Sequence, residues 1–298
     1  MVSAVSAQRI SSRARSKPAA PPARRGSAAQ SDPASLALYD DALLYDATYR
    51  GRREDVRYYV RLAERHGLTS RDEAERGAVL EYGVGSGRVA LALCRAGARV
   101  VGVDASQSML ARLALKLERA PKAQRERLSV VHGDMRRVRL KQRFPLVIAP
   151  FNVILHLDSH RDMARFLARV SEHLAPGGEL VFDFSIPREE DLASDPTEWH
   201  QAPRFRHPET GAWTTHAERF EYDPLRQVLL IESELRAEGA RRARRLPLVH
   251  RQWFPREVEA ALHYAGFVDI RFFGDFTELP PFDDVDSLVV RARLTKNG

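Results

Sequence analysis

Val79-Leu80-Glu81-Tyr82-Gly83-Val84-Gly85-Ser86-Gly87-Arg88 is the stretch on which the reading of this chain turns. An apolar run reaches an acid, three glycines alternate with other residues, and Val89, Leu93 and Ala96 follow at helical spacing. This pattern describes a strand that turns sharply into a helix. Glycine lets a backbone approach a ligand closely, and the helix start beyond it favours negative charge. Dinucleotide-binding folds place a glycine-rich turn at the same point, so the stretch alone does not choose a cofactor.

On either side the chain alternates in the same way. Before the turn, Val56, Tyr59, Val60 and Ala63 fall on one helical face, in a helix that ends near Gly67. After it, strands are expected at Ala98–Asp104, Leu128–Asp134, Pro145–Pro150 and Glu179–Ile186. A helix with Leu110, Leu113, Ala114 and Leu117 lies between the first two of these, and one with Met163, Phe166, Leu167, Val170 and Leu174 precedes the last. Pro176-Gly177-Gly178 reads as the stop of that second helix. Apolar strands separated by amphipathic helices imply a parallel sheet with both faces covered. Residues 198–254 break the rhythm, with aromatic and β-branched runs parted by turn signals, and read as an inserted antiparallel meander. A helix from Pro255 to Ala265 and strands at Val268–Phe273 and Ser287–Leu294 close the pattern.

Two further elements narrow the cofactor. Asp104 ends the second strand, 17 residues after Gly87, where an acid can accept from ribose hydroxyls; NAD and S-adenosylmethionine both fit this much. The third strand then runs into Gly133-Asp134-Met135-Arg136. A strand ending in Gly-Asp-Met resembles the adenine-binding turn of class I S-adenosylmethionine-dependent methyltransferases. The order of motifs is similar to that family over residues 36–186 and 255–294, including Phe166–Asp183 with its Pro-Gly-Gly and the late Ala265-Gly266-Phe267 turn.

The resemblance implies a Rossmann-like α/β fold: a seven-stranded, mostly parallel sheet with its last strand antiparallel and helices on both faces. It also implies S-adenosylmethionine as cofactor. By position, Glu81 would meet the methionine amino group and Gly83, Gly85 and Gly87 would lie along the methionine and ribose. Asp104 and the adjoining Ala105 would serve the ribose, and Asp134 and Met135 the adenine, with Pro150 at the end of the fourth strand completing the set. Met109 is expected in helix core, and Tyr82, where leucine is commoner, carries no functional expectation. The Ala149-Pro150-Phe151-Asn152 turn does not match the Asn-Pro-Pro-aromatic turn of amino-methylating nucleic-acid enzymes, and Cys94 sits inside a helix. Both departures point to a small-molecule acceptor, methylated on nitrogen or oxygen. The alternatives are a peptide or protein acceptor, or a binding protein that kept the fold and lost the reaction.

For the transfer itself, the sequence offers His156 as a base and Tyr45, beside Tyr39 and Tyr49, as a lid residue near the methyl. Asn152, His250, Arg251 and Trp253 are candidates for the acceptor pocket, with His216 and Tyr222 also in the meander. No metal-ligand spacing stands out.

Composition sets the remaining bounds. The chain has 298 residues and a formal net charge of +7. Six of its 47 basic residues (Arg9, Arg13, Arg15, Lys17, Arg24, Arg25) lie in residues 1–31, which hold no acid; the other 41 face 40 acids. The folded part is thus nearly neutral, and nucleic-acid binding loses its main support. Residues 1–33, rich in Ser, Ala, Pro and Arg, are expected as a disordered basic tail, and 34–298 as the methyltransferase domain, with 198–254 as a substrate cap. No apolar run suggests a membrane span. A single cysteine suits a reducing compartment, and a cytoplasmic enzyme is expected.

Overall fold

The structure is a computed structural model that describes residues 37–70, 77–282 and 285–295; the expected tail at 1–33 lies outside them. Two short helices, α1 (Ala37–Asp40) and α2 (Ala42–Thr48), precede α3 (Glu54–Arg65). Then β1 (Val79–Tyr82), α4 (Ala90–Arg95), β2 (Val100–Asp104), α5 (Gln107–Glu118), α6 (Lys122–Arg125), β3 (Leu128–His132) and β4 (Phe144–Ala149) follow. A 3-10 turn (Val153–His156) leads to α7 (His160–His173), β5 (Leu174–Ser185) and α8 (Glu189–Leu192). The strands β6 (His200–Arg206), β7 (Trp213–Asp223), β8 (Val228–Ala237) and β9 (Arg244–Arg251) come next, before α9 (Pro255–Tyr264), β10 (Phe267–Gly274) and β11 (Ser287–Leu294).

Seven strands form one sheet in the order β3-β2-β1-β4-β5-β11-β10. β1 to β5 run parallel, and β11 is antiparallel to both its neighbours, β5 and β10. This is the expected Rossmann-like sheet. Side chains alternate across each strand, so β1 sends Leu80 and Tyr82 to one layer and Val79 to the other. The first layer packs Phe166 and Val170 of α7 and Val258 and Leu262 of α9 over Phe182 and Val290. The second packs Tyr59 and Leu62 of α3, Leu93 of α4 and Leu113 of α5 over Ile148 and Val181. β1 and the middle of β5 are buried on both faces, which is why they read as continuous apolar runs.

One expected boundary is corrected. α7 ends at His173 and β5 begins at Leu174, so Pro176-Gly177-Gly178 lies within the strand instead of stopping the helix. The register jumps from Phe144 opposite Leu174 to Leu146 opposite Glu179, so these residues bulge out of the ladder.

The meander is a separate antiparallel sheet, β6-β7-β8-β9. Its β7–β8 and β8–β9 registers put Glu218, Ser233 and Leu246 in one row, Phe220, Ile231 and Leu248 in the next, and Tyr222, Leu229 and His250 in a third. Leu235, Leu246 and Leu248 form a third core with Leu44 of α2, and Tyr39, Tyr45 and Ile231 pack on it. α1 and α2 are therefore seated on the second sheet through Leu44 while their tyrosines border the first. Among the described residues no helix is long and apolar enough to cross a membrane.

Candidate functional site

The glycine turn lies where the parallel strands end, at the switch point where the chain runs to β4 on one side and β2 on the other. Gly83 has φ +68°, and a Cβ there would stand 2.3 Å from Val153 Cγ2. Gly87 has φ +84°, and its Cβ would stand 2.3 Å from Leu113 Cδ1. Both conformation and space thus require glycine. Met109 is buried with its methyl against Gly85, as core.

Glu81 is 2% exposed, and its Oε2 has no partner. Burial pushes its carboxyl well above the ordinary range, with Arg88 pulling the other way. A buried carboxylate oxygen with nothing to accept from is costly and suits a cationic donor such as the amino group of methionine. Asp104 accepts from Gly85 N at 2.7 Å through Oδ2 and from Ser106 N at 2.8 Å through Oδ1. Those bonds fix its orientation and leave further lone pairs for hydroxyl donors. Ala105 follows it in the same turn and accepts from His132 Nε2 at 3.0 Å in one tautomer.

Asp134 is drawn onto its own neighbour: Arg136 Nε and Nη2 donate to it at 2.8–3.0 Å, and its pKa falls below the usual carboxylate range because those bonds outweigh burial. Met135, beside it, packs on the first layer of the core. These residues fit the cofactor that the motifs imply.

After Pro150 the backbone turns left-handed twice, at Phe151 (φ 64°) and Asn152 (φ 63°). Asparagine adopts this region readily, but Phe151 is held in it against its preference. The clamp is Asp183, whose Oδ1 accepts from Phe151 N at 2.9 Å and from Tyr59 O–H at 2.6 Å. Asn152 completes it by accepting from Ser185 N at 2.7 Å and donating to Ser185 Oγ at 3.1 Å. Asn152, expected at the acceptor, thus spends its amide on joining β4 to β5.

The turn delivers His156. Tyr39 O–H lies 2.8 Å from His156 Nε2, and the His250 ring of β9 stands edge-on at 5.1 Å. Burial brings His156 down to about 4. It brings His250 well below its ordinary value, with the charge of His156 adding to the effect. Both imidazoles are neutral at physiological pH. Tyr39 keeps its proton because burial pushes its pKa far up, and it donates to His156 Nε2 in the tautomer that leaves that nitrogen unprotonated. A base works best with a pKa near the working pH, so His156 is a weak base and a well-fixed acceptor.

Rings continue from there: Tyr39 to Tyr45 at 5.6 Å, Tyr45 to Tyr49 at 4.8 Å, Tyr49 to Phe151 at 5.0 Å. Arg52 and Arg88 lie over Phe151 at 4.7 and 4.9 Å. Arg88 also pairs with fully buried Asp55 through two hydrogen bonds of 2.6 and 2.8 Å. Asp46 of α2 reaches Ser86 Oγ at 2.6 Å, Lys116 Nζ at 2.7 Å and Arg112 Nε at 2.9 Å, so it pins α2 to the glycine turn and to α5.

The structure gathers Tyr45, His156 and His250 with the turn that carries Pro150 and Asn152. It does not bring Arg251 and Trp253 to that space as open groups. Arg251 is 4% exposed, stacks on Trp253 at 4.6 Å and donates to Gln227 Oε1 and Glu257 Oε1. It is thus neither solvated nor free to hold a substrate carboxylate. Trp253 is fully buried and donates to Leu157 O at 3.1 Å. His216 and Tyr222 lie on β7. The sequence reading missed Asp46, Asp55 and Asp183, whose partners lie far away in the chain and give no local signal.

A family model described as a methyltransferase domain matches residues 79–178. The glycine/sarcosine N-methyltransferase of Aphanothece halophytica is 29% identical over 238 residues, 77% of each chain. The cypemycin N-terminal methyltransferase of a Streptomyces species is 35% identical over 112 residues, and the match spans 37% of this chain and 43% of that relative. Among solved structures, the CcbJ methyltransferase from Streptomyces caelestis superimposes with a TM-score of 0.68 at 28% identity, over 83% of this chain and 98% of that one.

Proposed function

The chain belongs to the class I S-adenosylmethionine-dependent methyltransferases, and from that premise we propose that it methylates a nitrogen of a small-molecule amine. The observation that carries the choice of nitrogen is the buried, uncharged Tyr39–His156–His250 group. An alcohol must lose its proton as it attacks, which calls for a base near neutral pKa. A neutral amine already has its lone pair and needs only orientation. One of the relatives described above, the glycine/sarcosine enzyme, is an N-methyltransferase by name, which supports the same reading.

S-adenosylmethionine supplies a methyl group on a sulfonium whose leaving thioether is already activated. In our proposal Glu81, Gly83, Gly85, Gly87, Asp104, Ala105, Asp134, Met135 and Pro150 hold that cofactor. Tyr39, fixed by His156, offers its oxygen to an N–H of the acceptor and aims the nitrogen lone pair. Tyr45, packed between Tyr39 and Tyr49, keeps water away from the transfer. The nitrogen–carbon bond forms as the sulfur–carbon bond breaks, and the nitrogen's extra proton leaves to solvent. Holding the nucleophile in line can supply roughly 7–11 kcal/mol of barrier reduction. The inserted sheet, bringing His250 to the group, serves as the acceptor cap. The lone cysteine supports action in the cytoplasm.

The test uses labelled S-adenosylmethionine with paired amines and alcohols: glycine against glycolate, glucosamine against glucose, a dipeptide against its acetylated form. Transfer to amines only, with Tyr39→Phe lowering kcat about 10- to 100-fold at unchanged cofactor affinity, is the expected result. Transfer confined to hydroxyls, or no binding of S-adenosylhomocysteine, sinks the proposal.

A further inference from the structure

Outside the group just described, the inner face of the second sheet carries a charged constellation that none of those roles uses. Glu218 of β7 takes a hydrogen bond from Ser233 O–H at 3.1 Å and lies 3.2 Å from His216 Nε2, both at the same oxygen, Oε1. Among the described residues nothing donates to its Oε2. The pair with His216 keeps the carboxyl below its ordinary range although burial opposes this, so it stays ionised at neutral pH.

The carboxylate faces the lid tyrosines. Strand alternation puts Glu218 on the same side of the sheet as Phe220 and Tyr222 of β7, Ser233 and Leu235 of β8, and Leu246, Leu248 and His250 of β9. That side is the one on which Leu44, Tyr39 and Tyr45 pack. Burial pushes the Tyr49 phenol up to about 12, and among charges Glu218 acts on it most strongly. Tyr49 in turn packs on Phe151 at the tip of β4. Aromatic rings and an open carboxylate oxygen at one end of a ring row form the chemistry that recognises an ammonium group. Asp191 of α8 adds negative charge, since Glu218 is among the groups that raise it.

A second observation on the same face points to a ligand. His250 is 9% exposed, and its Nε2 has no partner. A buried, unpaired imidazole nitrogen costs stability unless something else pairs with it. It stands against His156, at the opposite corner of the face from Glu218. Glu218 and Tyr222 are four residues apart on β7, and His250 lies two strands across from Tyr222. At about 3.3 Å per residue and 4.8 Å per strand, the corners are about 16 Å apart.

We propose that Glu218, held by His216 and Ser233 and facing Tyr49, binds a cationic group of the acceptor distant from the nitrogen that is methylated. This deepens the reading of the chain as an amine methyltransferase and rests on it. The acceptor is then an elongated molecule with at least two nitrogens, one reacting uncharged beside His156 and one held as a cation at Glu218.

The test uses the full chain saturated with S-adenosylhomocysteine, titrated calorimetrically with benzylamine and with benzyl alcohol, a pair alike in shape and different in charge. Wild type should bind benzylammonium at least about tenfold more tightly, and Glu218→Gln should abolish the preference while keeping its affinity for S-adenosylhomocysteine. Equal binding of the two probes by wild type overturns the proposal, as does a preference that survives in Glu218→Gln. Should the Gln variant lose S-adenosylhomocysteine binding, Glu218→Asp decides. A benzylammonium affinity reduced about 3- to 10-fold in that variant supports the site, and an unchanged one removes it. If wild type does not bind S-adenosylhomocysteine at all, the amine-methyltransferase reading fails and this proposal falls with it. Failure of the charge preference alone leaves that reading standing.

Discussion

Tyr82 stands between the acid and the first glycine, where the family pattern led us to expect leucine, and its hydroxyl explains the difference. It lies 2.7 Å from His173 Nδ1, while Leu140 N donates to His173 Nε2 at 2.8 Å. The second bond assigns the proton of the neutral ring to Nδ1, so β1, α7 and the chain before β4 meet at one imidazole. Two other buried carboxylates respond to pH in opposite senses. Burial lifts Asp183 to about 6 from an ordinary 3.8, so it favours the folded protein fully below 3.8 and loses that contribution as pH rises through 6. Glu179 is opposed by burial, but hydrogen bonds from His66 and Arg291 hold it at about 2 against an ordinary 4.5. Its contribution is full above 4.5 and lost as pH falls toward 2. Urea unfolding across pH should therefore show Glu179→Gln costing about 3 kcal/mol at neutral pH and almost nothing near pH 2. Asp183→Asn should flatten the decline between 3.8 and 6. Unchanged profiles in both variants would contradict these assignments.

At the scale of elements, the glycine turn and the β4 turn are built against each other. Val153 fills the space where a Gly83 side chain would stand, so neither turn can shift alone. Gly83→Ala combines a positive φ with that clash, and the strain falls where the cofactor has to lie. We expect its affinity for S-adenosylhomocysteine to drop about 10- to 100-fold, a cost of 1–3 kcal/mol, while far-ultraviolet circular dichroism stays that of wild type. Wild-type affinity in the variant would show that the turn relaxes elsewhere. The long elements were legible in the sequence because each has a clear period: α3, α7 and β11 lie within a few residues of where the pattern put them. α1 and α2 were not, because they are only 4 and 7 residues long and are held by distant partners such as Ser86 and Lys116. The Pro176-Gly177-Gly178 stop misled because a bulge uses the same residues as a helix terminus.

For the molecule as a whole, the alternation of strands and helices announced a parallel sheet, but not its order, since the connection from β3 at the edge passes β2 and β1 before β4 joins the other side of β1. The residues proposed to hold the cofactor could be picked out in the sequence because they are close in it: Glu81, the glycines and Asp104 follow one another along β1 and β2, within 25 residues of chain. For the proposed acceptor side, Tyr39, His156 and His250 were candidates by residue type, but their contact with one another, and the part played by Glu218, were not legible, because they come from separate elements that meet only in the folded chain. Arg251 and Trp253 are residue types that suit a pocket, but Arg251 joins β9 to α9 and Trp253 bonds to the chain just before α7.

The placement of α1 and α2 also has a kinetic consequence. Leu44 seats them on one sheet and Asp46 fastens them to the other, directly over the turn that leads to nearly inaccessible Glu81. Anything destined for that carboxylate has to wait for the fastening to open. Arrival is then governed by a unimolecular step, and the observed rate of S-adenosylhomocysteine binding in stopped flow should level off as its concentration rises. Asp46→Ala, with the fastening cut, should raise that plateau. A rate that climbs linearly without limit would mean that the doorway lies elsewhere, and that α1 and α2 are walls and not a gate.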